Sequence, residues 1–389
     1  MNAGRTVFSQ VMDFLPLQEF RKCVTRYEGD YRVRELSCLD QFYAMAFAQL
    51  SFRESLRDIE LCLRGASNKL YHLGIRAHIS RSTLADANER RDARIYADLV
   101  QHLMFRARKL YREDESWHRL SRAVYALDSS VIELSLKLFP WANYKLHSSG
   151  IKLHTLLNVA THVPSFVRLT PAKIHDVRVL DELPIEPGAV YVLDRAYVDY
   201  ARLRRITQHG AYFVSRPRKD CHFRRTSSRP VDRERGLLLD QTVYLVHRRS
   251  VRKYPDALRR IRYVDRERNK RLMFITNNFN WAAMTIAELY KSRWEVELFF
   301  KWIKQHLRIK AFDGTSENAV KTQIWIALSV YLILAILKKE LRLPHSLHTI
   351  SQILSVNLFE KVQLPQLLAE STCSKMRNED HKSLPLFDF

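Results

Sequence analysis

The chain has 389 residues, 46% of them hydrophobic and 11% aromatic, which predicts a globular protein of two or three domains with a large packed core. Lys and Arg number 64 against 42 Asp and Glu, so the formal net charge is +22 and nucleic acid is the leading candidate partner. The five cysteines are widely spaced and form no CxxC pair, which argues against a zinc site or a disulfide framework and indicates a reducing cytoplasm. A soluble basic protein without a nucleic-acid partner is the alternative, because charge reports attraction and not activity.

Residues 1–115 have the spacing of helices and predict an all-helical N-terminal domain. Ser55 stands where it can cap a helix over 55–64, and Ser80 opens a segment, 80–111, that predicts one long helix. Short helices followed by Ser-capped, Arg-rich helical starts suit a helix-turn-helix-like DNA reader. An all-helical packing module fits the same periodicity, so both interpretations stay open.

Strand patterns begin near Trp117 and then alternate with helices. Residues 123–136 predict a strand that contains Asp128, and residues 188–197 predict a buried strand that ends near Asp194. Strands first, followed by strands alternating with helices, indicate an α/β sheet. The other elements predicted in this region are a hairpin over 151–170, helices over 175–183 and 200–210, and a strand over 211–217.

Residues 221–271 are dense in arginine and contain strand-like pieces, which predicts a small basic β insertion. An apolar strand follows over 271–279. Residues 322–337 are an apolar run bounded by lysines, and because a membrane span needs about 20 apolar residues, a buried helix is favoured over a membrane span. The C-terminal region, 346–389, predicts one more amphipathic helix and a polar, loose tail from Ala369.

The stretch YKSRWEVELFFKWIK, from Tyr290 to Lys304, predicts one amphipathic helix with a polar seam. At about 100° per residue, four polar side chains fall within about 60° of one another: Tyr290, Arg293, Glu297 and Lys304. One carboxylate, Glu297, therefore lies among a phenol and two cations, which are groups that can bind phosphates. Glu297 also forms i,i+4 pairs with Arg293 and Lys301, and such pairs are common on solvated helix faces.

Three acids, Asp128, Asp194 and Glu297, stand where an α/β sheet presents ligand-binding groups. Acids at the carboxyl ends of strands in an open α/β sheet face the crevice in which ligands bind. Two aspartates and a glutamate supply the oxygen ligands that Mg²⁺ accepts, and two such ions can promote an in-line phosphoryl displacement. Taken alone, each aspartate fits a turn or an N-cap equally well.

The spacing from Tyr290 to Lys304 resembles the Tyr-(2)-Arg-(3)-Glu-(6)-Lys signature of the insertion-sequence-four family of DDE transposases. The blocks YALDSS, YVLDRAYVDYARL and FFKWIKQHLRIKAFDGTSENAVKTQIWIA are similar to that family as well. The resemblance implies a ribonuclease-H-like core, that is, a mixed sheet flanked by helices. It also implies a β insertion between the second and third acids, which agrees with the basic segment described above.

The same resemblance implies roles for the site residues. Asp128, Asp194 and Glu297 would be the catalytic acids and would bind two Mg²⁺ ions, for which Mn²⁺ can substitute. Members similar to this chain have Gly after Asp-Arg, whereas this chain has Ala196, which would strain the turn if the position needs a positive φ. The implied DNA-binding residues are Tyr290, Arg293, Trp294, Lys301 and Lys304, with Trp294 or a neighbouring aromatic holding an unstacked base of a hairpin intermediate.

The predicted organisation is a helical DNA-binding domain at 1–115, a catalytic domain at 116–345 interrupted at 221–271, and a C-terminal helix and tail at 346–389. The predicted function is a transposase that binds the inverted ends of its element, cleaves DNA with Mg²⁺ and joins the free 3′-OH to target DNA. Double-stranded DNA is the partner, no membrane is involved, a dimer forms in the DNA synapse, and the location is the bacterial cytoplasm at the nucleoid. The alternatives are a decayed or domesticated DNA-binding protein and a hydrolytic nuclease of the same fold.

Overall fold

A computed structural model describes residues 4–373 except positions 77, 115, 118–119, 121, 146–147, 266–268, 308–311 and 313. The helices of the described part are α1 (Val7–Met12), α2 (Leu17–Arg26), α3 (Cys38–Leu50), α4 (Leu56–Gly65), α5 (Leu70–Leu73), α6 (Arg81–Arg90), α7 (Arg94–Leu110), α8 (Tyr200–Gln208), α9 (Arg248–Lys253), α10 (Ala283–Lys291), α11 (Trp294–His306), α12 (Glu317–Glu340), α13 (Leu347–Asn357) and α14 (Leu364–Cys373). Its strands are β1 (Ser116–Trp117), β2 (Arg122–Leu134), β3 (Asn143–Lys145), β4 (Ser148–Asn158), β5 (Pro164–Pro171), β6 (Val190–Leu193), β7 (Tyr212–Ser215), β8 (Phe223–Ser228), β9 (Leu237–Leu245), β10 (Leu258–Asp265) and β11 (Lys270–Thr276).

Serine caps begin several N-terminal helices, as the sequence predicts. The Ser55 side chain accepts a hydrogen bond from the backbone N–H of Asp58 at the start of α4. The Ser80 side chain accepts one from the N–H of Thr83 at the start of α6. A cap of this kind satisfies an otherwise unpaired N–H and stabilises a helix by about 1 kcal/mol.

The single long helix predicted over 80–111 is wrong, because the chain breaks between α6 and α7. Arg91 is extended, with φ −76° and ψ 136°, and its buried guanidinium donates to the backbone carbonyl of Ser37 at 3.0 Å. Asn318, in the first turn of α12, accepts from the N–H of Ala93 at 3.0 Å and donates to the carbonyl of Arg91. These contacts with distant segments end the helix, and local periodicity does not report them.

The strands form one mixed sheet in the order β3-β4-β2-β6-β7-β11-β10-β9-β8, with β1 beside β2 and β5 beside β4. β2, β6 and β7 run parallel, whereas β4 runs antiparallel to β2, and β11 to β7. The last parallel pair between β2 and β6 joins Leu127 to Leu193. Asp128 and Asp194 each come one residue later, so the register places both acids at the carboxyl end of the parallel strands.

The basic segment predicted over 221–271 forms β8, β9, α9 and β10. β10 pairs with β11 and β11 pairs with β7, so these strands lengthen the central sheet. β11 also confirms the apolar strand predicted over 271–279. The helix predicted over 175–183 is present as a short 3₁₀ helix, Asp176–Asp181.

Helix α12 confirms the buried apolar helix predicted over 322–337. It packs against α3, α6 and α7 of the N-terminal region, so these helices and α12 share one apolar core. Within the described residues α12 is the one helix that is long and apolar enough to cross a membrane. In the protein, however, 94% of its apolar 18-residue stretch is buried. The expected loose tail begins as helix, because α14 runs through Ala369 to Cys373, and residues 374–389 lie outside the described part.

Candidate active site

Asp128 and Asp194 face the helices α10 and α11. Side chains alternate between the two faces of a strand, so Asp128 shares a face with Ala126 on β2, and Asp194 shares one with Val192 on β6. α11 packs against β2, and α10 packs against β6. The acids from the sheet therefore lie next to the segment that carries Glu297.

The single helix predicted from Tyr290 to Lys304 is wrong, since α10 and α11 meet at a turn formed by Ser292 and Arg293. The hydroxyl of Ser292 donates to the carbonyl of Leu289 at 2.7 Å, and the N–H of Arg293 bonds to the carbonyl of Tyr290, three residues back. A side chain that bonds to the backbone competes with the regular i→i−4 pattern and tightens the turn. Tyr290 and Arg293 nevertheless both remain turned towards the acids.

Tyr290 and Arg293 connect the three acids into one cluster. The guanidinium of Arg293 donates to Asp128 at 2.6 Å and also to Glu297, one turn along α11. The hydroxyl of Tyr290 donates to Asp194 at 3.3 Å. The structure thus brings together three parts of the chain that lie far apart in the sequence: Asp128, Asp194 and the segment that carries Tyr290, Arg293 and Glu297.

Charge and burial set the protonation of this cluster. Burial raises the pKa of Asp128 to about 6, and the negative charges of Asp194 and Glu297 add to the rise, whereas Arg293 opposes it. Burial also raises the pKa of Tyr290, so its hydroxyl stays protonated and can donate to Asp194. Burial by itself would lower the pKa of Arg293, but the neighbouring Asp128 and Glu297 outweigh it and the pKa is raised. The arginine is therefore the cation that balances two mutually repelling carboxylates.

The donor chemistry of the cluster fits a divalent metal ion. Asp128, Asp194 and Glu297 offer carboxylate oxygens, which are the ligands that Mg²⁺ and Mn²⁺ accept. Among the residues that the structure describes, no three His, Cys, Asp or Glu side chains are gathered closely enough to hold a metal ion as they stand. Arg293 supplies the positive charge between two of the acids, and a divalent cation could take over that role.

The other residues implicated by the sequence lie on α11 outside the acid cluster. Lys304 donates to the carbonyl of Val131 at 2.8 Å, which ties α11 to the strand that bears Asp128. Trp294 is 45% exposed at the start of α11, and Lys301 is exposed. Trp294 and Lys301 are therefore accessible to a large ligand, whereas Lys304 helps to fix the helix on the sheet.

Ala196 does not strain the turn after Asp194. It is exposed and lies in a short 3₁₀ helix, Arg195–Tyr197. Of the described non-glycine residues, those with a positive φ do not include Ala196. Glycine is therefore not required at this position.

Sequence reasoning missed Arg216, which follows β7. Ser215 pairs with Leu193, so Arg216 comes one residue after a paired position, just as Asp194 does. Its positive charge lowers the pKa of Tyr290 against the larger effect of burial, and its Nε atom is buried without a hydrogen-bond partner. The sequence did contain a signal for Arg216. In the predicted strand AYFVSRP this arginine stands at the end of the strand, as Asp194 does in YVLD.

A second missed group surrounds Ser129, the residue after Asp128. The hydroxyl of Ser129 donates to Asp176 at 2.9 Å, and its N–H donates to Asp128 at 2.8 Å. The ammonium of Lys152 lies 3.0 Å from the same oxygen of Asp176. Burial lowers the pKa of the adjacent His154 to about 4, so this imidazole is neutral at pH 7. These side chains fix the backbone next to Asp128.

The chain is similar to known transposases. Residues 119–333, more than half of the chain, match the family model of the transposase DDE domain, and residues 3–76 match a domain of unknown function. A relative from Sinorhizobium fredii, named as a transposase, is 31% identical over 282 residues, which are 72% of this chain and 77% of the relative. A relative from Geobacillus stearothermophilus, named as a transposase for an insertion sequence element, is 30% identical over 229 residues, 58% of this chain and 59% of its own length.

The solved synaptic complex of a piggyBac transposase with hairpin DNA aligns with a TM-score of 0.51 over 96% of this chain and 82% of that chain, at 10% identity. Such a likeness shows the fold, and it confirms the predicted ribonuclease-H-like core, a mixed sheet flanked by helices with a β insertion and a helical N-terminal region. Assignment to the insertion-sequence-four family remains a prediction. By the match of its DDE domain and by its relatives, the chain belongs to the family of DDE transposases.

Proposed function

We propose that this transposase binds the terminal inverted repeats of an insertion sequence, cleaves the DNA with Mg²⁺ and joins the freed 3′-OH to target DNA. The observation that carries the proposal is the cluster of Asp128, Asp194 and Glu297 at the end of the parallel strands, joined by Tyr290 and Arg293. Carboxylates alone repel a phosphate, so chemistry on DNA at this cluster needs cations between the two. The net charge of +22 supplies attraction for the DNA backbone.

The residues of the cluster would divide the work. Asp128, Asp194 and Glu297 would hold the divalent cations. Bound Mg²⁺ or Mn²⁺ supplies Lewis-acid stabilisation of the charge that develops on the scissile phosphate. Arg293, once freed from the acids, presents a planar fork that suits two phosphate oxygens. Tyr290 orients Asp194 through its hydroxyl.

The DNA contacts are proposed for the same face of the protein. Lys301 and Trp294 are exposed on α11, beside the acids, where an ammonium can contact a phosphate and an indole can stack on a base. Capped helices at 1–115 would read the element ends. Two ends must be held together for transposition, so a dimer in the synapse follows from the reaction and not from the single chain.

We expect Asp128→Ala, Asp194→Ala and Glu297→Ala each to reduce cleavage of element-end DNA by about three orders of magnitude or more, since a metal ion contributes several kcal/mol to phosphoryl transfer. DNA binding, measured by fluorescence anisotropy, should change little, because the acids make few phosphate contacts. Glu295→Gln is the matched control, as Glu295 lies in the same turn of α11 but faces His162 at 3.6 Å. Cleavage that persists in EDTA, or binding that falls in parallel with cleavage, would remove the assignment of the acids.

A joining assay separates the transposase from two alternatives. Supplied with pre-cut ends that carry a 3′-OH, the wild-type protein and Mg²⁺ should link those ends to plasmid DNA. Cleavage without any linked product would indicate a hydrolytic nuclease. Binding without either reaction would indicate a decayed DNA-binding copy, which the intact acid cluster and the unstrained backbone at Ala196 argue against.

A further inference from the structure

Strand β10 carries arginines with opposite surroundings on its two faces. Arg259 is buried and donates to both oxygens of Asp240, at 2.8 and 2.6 Å. Side chains alternate between the two faces of a strand, so Arg260 and Arg262 point to the face opposite Arg259, where they are only partly buried. On one face of β10 the arginine is paired with an aspartate, whereas on the other face two arginines lie close together.

Arg225 of β8, which lies beyond β9, joins Arg260 and Arg262 in this cluster. It pairs with Val243 of β9, and Val243 pairs with Leu258 of β10, so Arg225 lies on the same face of the sheet as Arg260 and Arg262. Burial lowers the pKa of Arg260, and the positive charges of Arg262 and Arg225 lower it further. Within the part of the chain that the structure describes, none of the three forms an ion pair with a carboxylate, in contrast to Arg259 and Asp240. Three cations that repel one another cost stability unless an anion neutralises them.

Arg260 is held in place before any ligand arrives. Its guanidinium lies over the ring of Phe223, 5.4 Å from the centroid, and it donates to the side chain of Gln241. The Nε atom of Arg260 is buried without a hydrogen-bond partner. A guanidinium fixed by stacking loses little freedom when it binds, which favours a specific contact over a mobile surface charge.

The pairing of the strands places this cluster on the face opposite the acids. Arg260 pairs with Ile275 of β11, and Ile275 pairs with Ser215 of β7, so these residues share one face of the sheet. Asp194 lies on the other face, since it alternates with Leu193, the partner of Ser215. The arginine cluster is therefore a separate surface and not part of the candidate active site.

We propose that Arg225, Arg260 and Arg262 form a second DNA site that binds backbone phosphates of a duplex on the sheet face opposite the acids. This inference rests on the proposed function in taking DNA as the anion. The site reads charge and not sequence, because guanidinium–phosphate contacts carry no base information. It would hold DNA that lies outside the duplex being cut.

The test compares two triple variants with the same change in net charge. The first is Arg225→Gln, Arg260→Gln and Arg262→Gln. The control is Arg202→Gln, Arg204→Gln and Arg235→Gln, whose arginines lie 2.6, 3.9 and 3.4 Å from the carboxylates of Asp181, Asp256 and Asp232. Binding of a labelled duplex of mixed sequence is measured by anisotropy over a range of NaCl concentrations.

We expect the slope of log Kd against log salt to fall by about 2 to 3 in the first variant, since each lost phosphate contact removes about 0.9. The control variant should keep a slope close to wild type. A third variant, Arg225→Lys, Arg260→Lys and Arg262→Lys, should recover most of the slope, which excludes misfolding as the cause. Equal slopes in the first variant and the control would overturn the proposal. It would also be overturned if the wild-type protein bound inorganic tripolyphosphate tightly while the first variant kept the wild-type slope for duplex DNA.

Cleavage of element-end DNA by the wild-type protein is scored in parallel. A changed slope without cleavage would leave the DNA site standing and reject the proposed function. Normal cleavage by the wild-type protein, with an unchanged slope in the first variant, would support the proposed function and reject the second DNA site.

Discussion

Arg293 is the residue on which the acid cluster depends when no metal is bound. Its side chain is 16% exposed and contacts both Asp128 and Glu297. Replacing it by Ala leaves two acids without their cation, and breaking a buried pair in this way costs about 3 kcal/mol or more. We expect Arg293→Ala to melt at a lower temperature than wild type in EDTA and to gain more from Mg²⁺ than wild type does.

Thermal melts with EDTA and with Mg²⁺ check this expectation. Arg293→Lys should recover only part of the loss, because an ammonium cannot reproduce the two-pronged contact. An equal gain from Mg²⁺ in wild type and Arg293→Ala would show that the guanidinium and the metal do not act on the same carboxylates.

Asp128 should make the metal-free protein less stable as the pH rises. Its pKa of about 6 in the folded state lies above its ordinary value of 3.8, so the folded protein holds this proton more tightly than the unfolded chain. That contribution is complete below pH 4 and is lost as the pH rises to about 6. The Asp128→Asn variant has no carboxyl group to titrate at this position. Its free energy of unfolding relative to wild type should therefore increase by about 2 to 3 kcal/mol as the pH rises from about 4 to about 6.

Urea unfolding in EDTA at pH 4.5, 6 and 7.5 measures the effect. Glu295→Asn is unsuitable as a control, since burial raises the pKa of Glu295 as well. Asp13→Asn serves better, because Asp13 is an exposed carboxylate that pairs with Arg5 and has no contact with the cluster among the described residues. Parallel stability curves for Asp128→Asn and wild type would contradict the raised pKa.

At the scale of elements, Asn318 shows how one helix ends another. The two N–H bonds of its amide are shared among the carbonyls of Asn88, Glu89 and Arg91, and its oxygen accepts from the N–H of Ala93. Asn318→Ala leaves these partly buried groups unpaired, which should reduce the free energy of unfolding by about 2 to 3 kcal/mol.

Chemical denaturation measures this loss. Ser55→Ala, which removes a cap without any long-range contact, provides the comparison and should cost about 1 kcal/mol. A smaller loss for Asn318→Ala than for Ser55→Ala would mean that the junction of α6 and α7 does not depend on α12.

Local signals in the sequence predicted much of the element structure. Ser55 and Ser80 cap helices as expected, and the strand patterns that contain Asp128 and Asp194 predicted β2 and β6. The helix breaks at Arg91 and Ser292 were not predicted, because tertiary contacts decide the first and a side-chain bond to the backbone decides the second. Periodicity reports which face of a segment is apolar, and it does not report where a segment stops.

The candidate site was predictable in its residues but not in its contacts. The strand ends and the resemblance pointed to Asp128, Asp194 and Glu297. That Arg293 bridges two of them depends on how α11 packs on β2, and that Arg216 lies beside Asp194 depends on the register of β6 and β7. Strand order and register follow from the whole sheet, so one sequence by itself does not provide them.

At the scale of the whole molecule, α12 joins regions that the sequence suggested were separate. The helix belongs to the stretch 116–345, yet it packs on α3, α6 and α7 of the stretch 1–115. Its residues from Thr322 to Leu337 are buried, and removal of the N-terminal helices would expose a large apolar surface. We expect a chain that begins at residue 116 to be insoluble or unfolded.

Soluble yield and circular dichroism of that fragment, compared with the full chain, check the expectation. In calorimetry the full chain should unfold in one main transition, because the helices share a core with α12. A soluble, folded fragment that still binds DNA would show that the N-terminal helices form an independent unit.

The bridge between Asp128 and Arg293 also bears on how the protein is made. These two residues are 165 positions apart, and ribosomes add about 5 to 20 residues per second, so the strand is synthesised roughly ten to thirty seconds before its partner helix. A nascent polypeptide therefore contains Asp128 well before it contains Arg293 and Glu297. A product that ends before α11 would also lack α12, so its N-terminal helices would expose the apolar surface that α12 covers in the full chain, and we expect such a product to aggregate and not to compete with the enzyme.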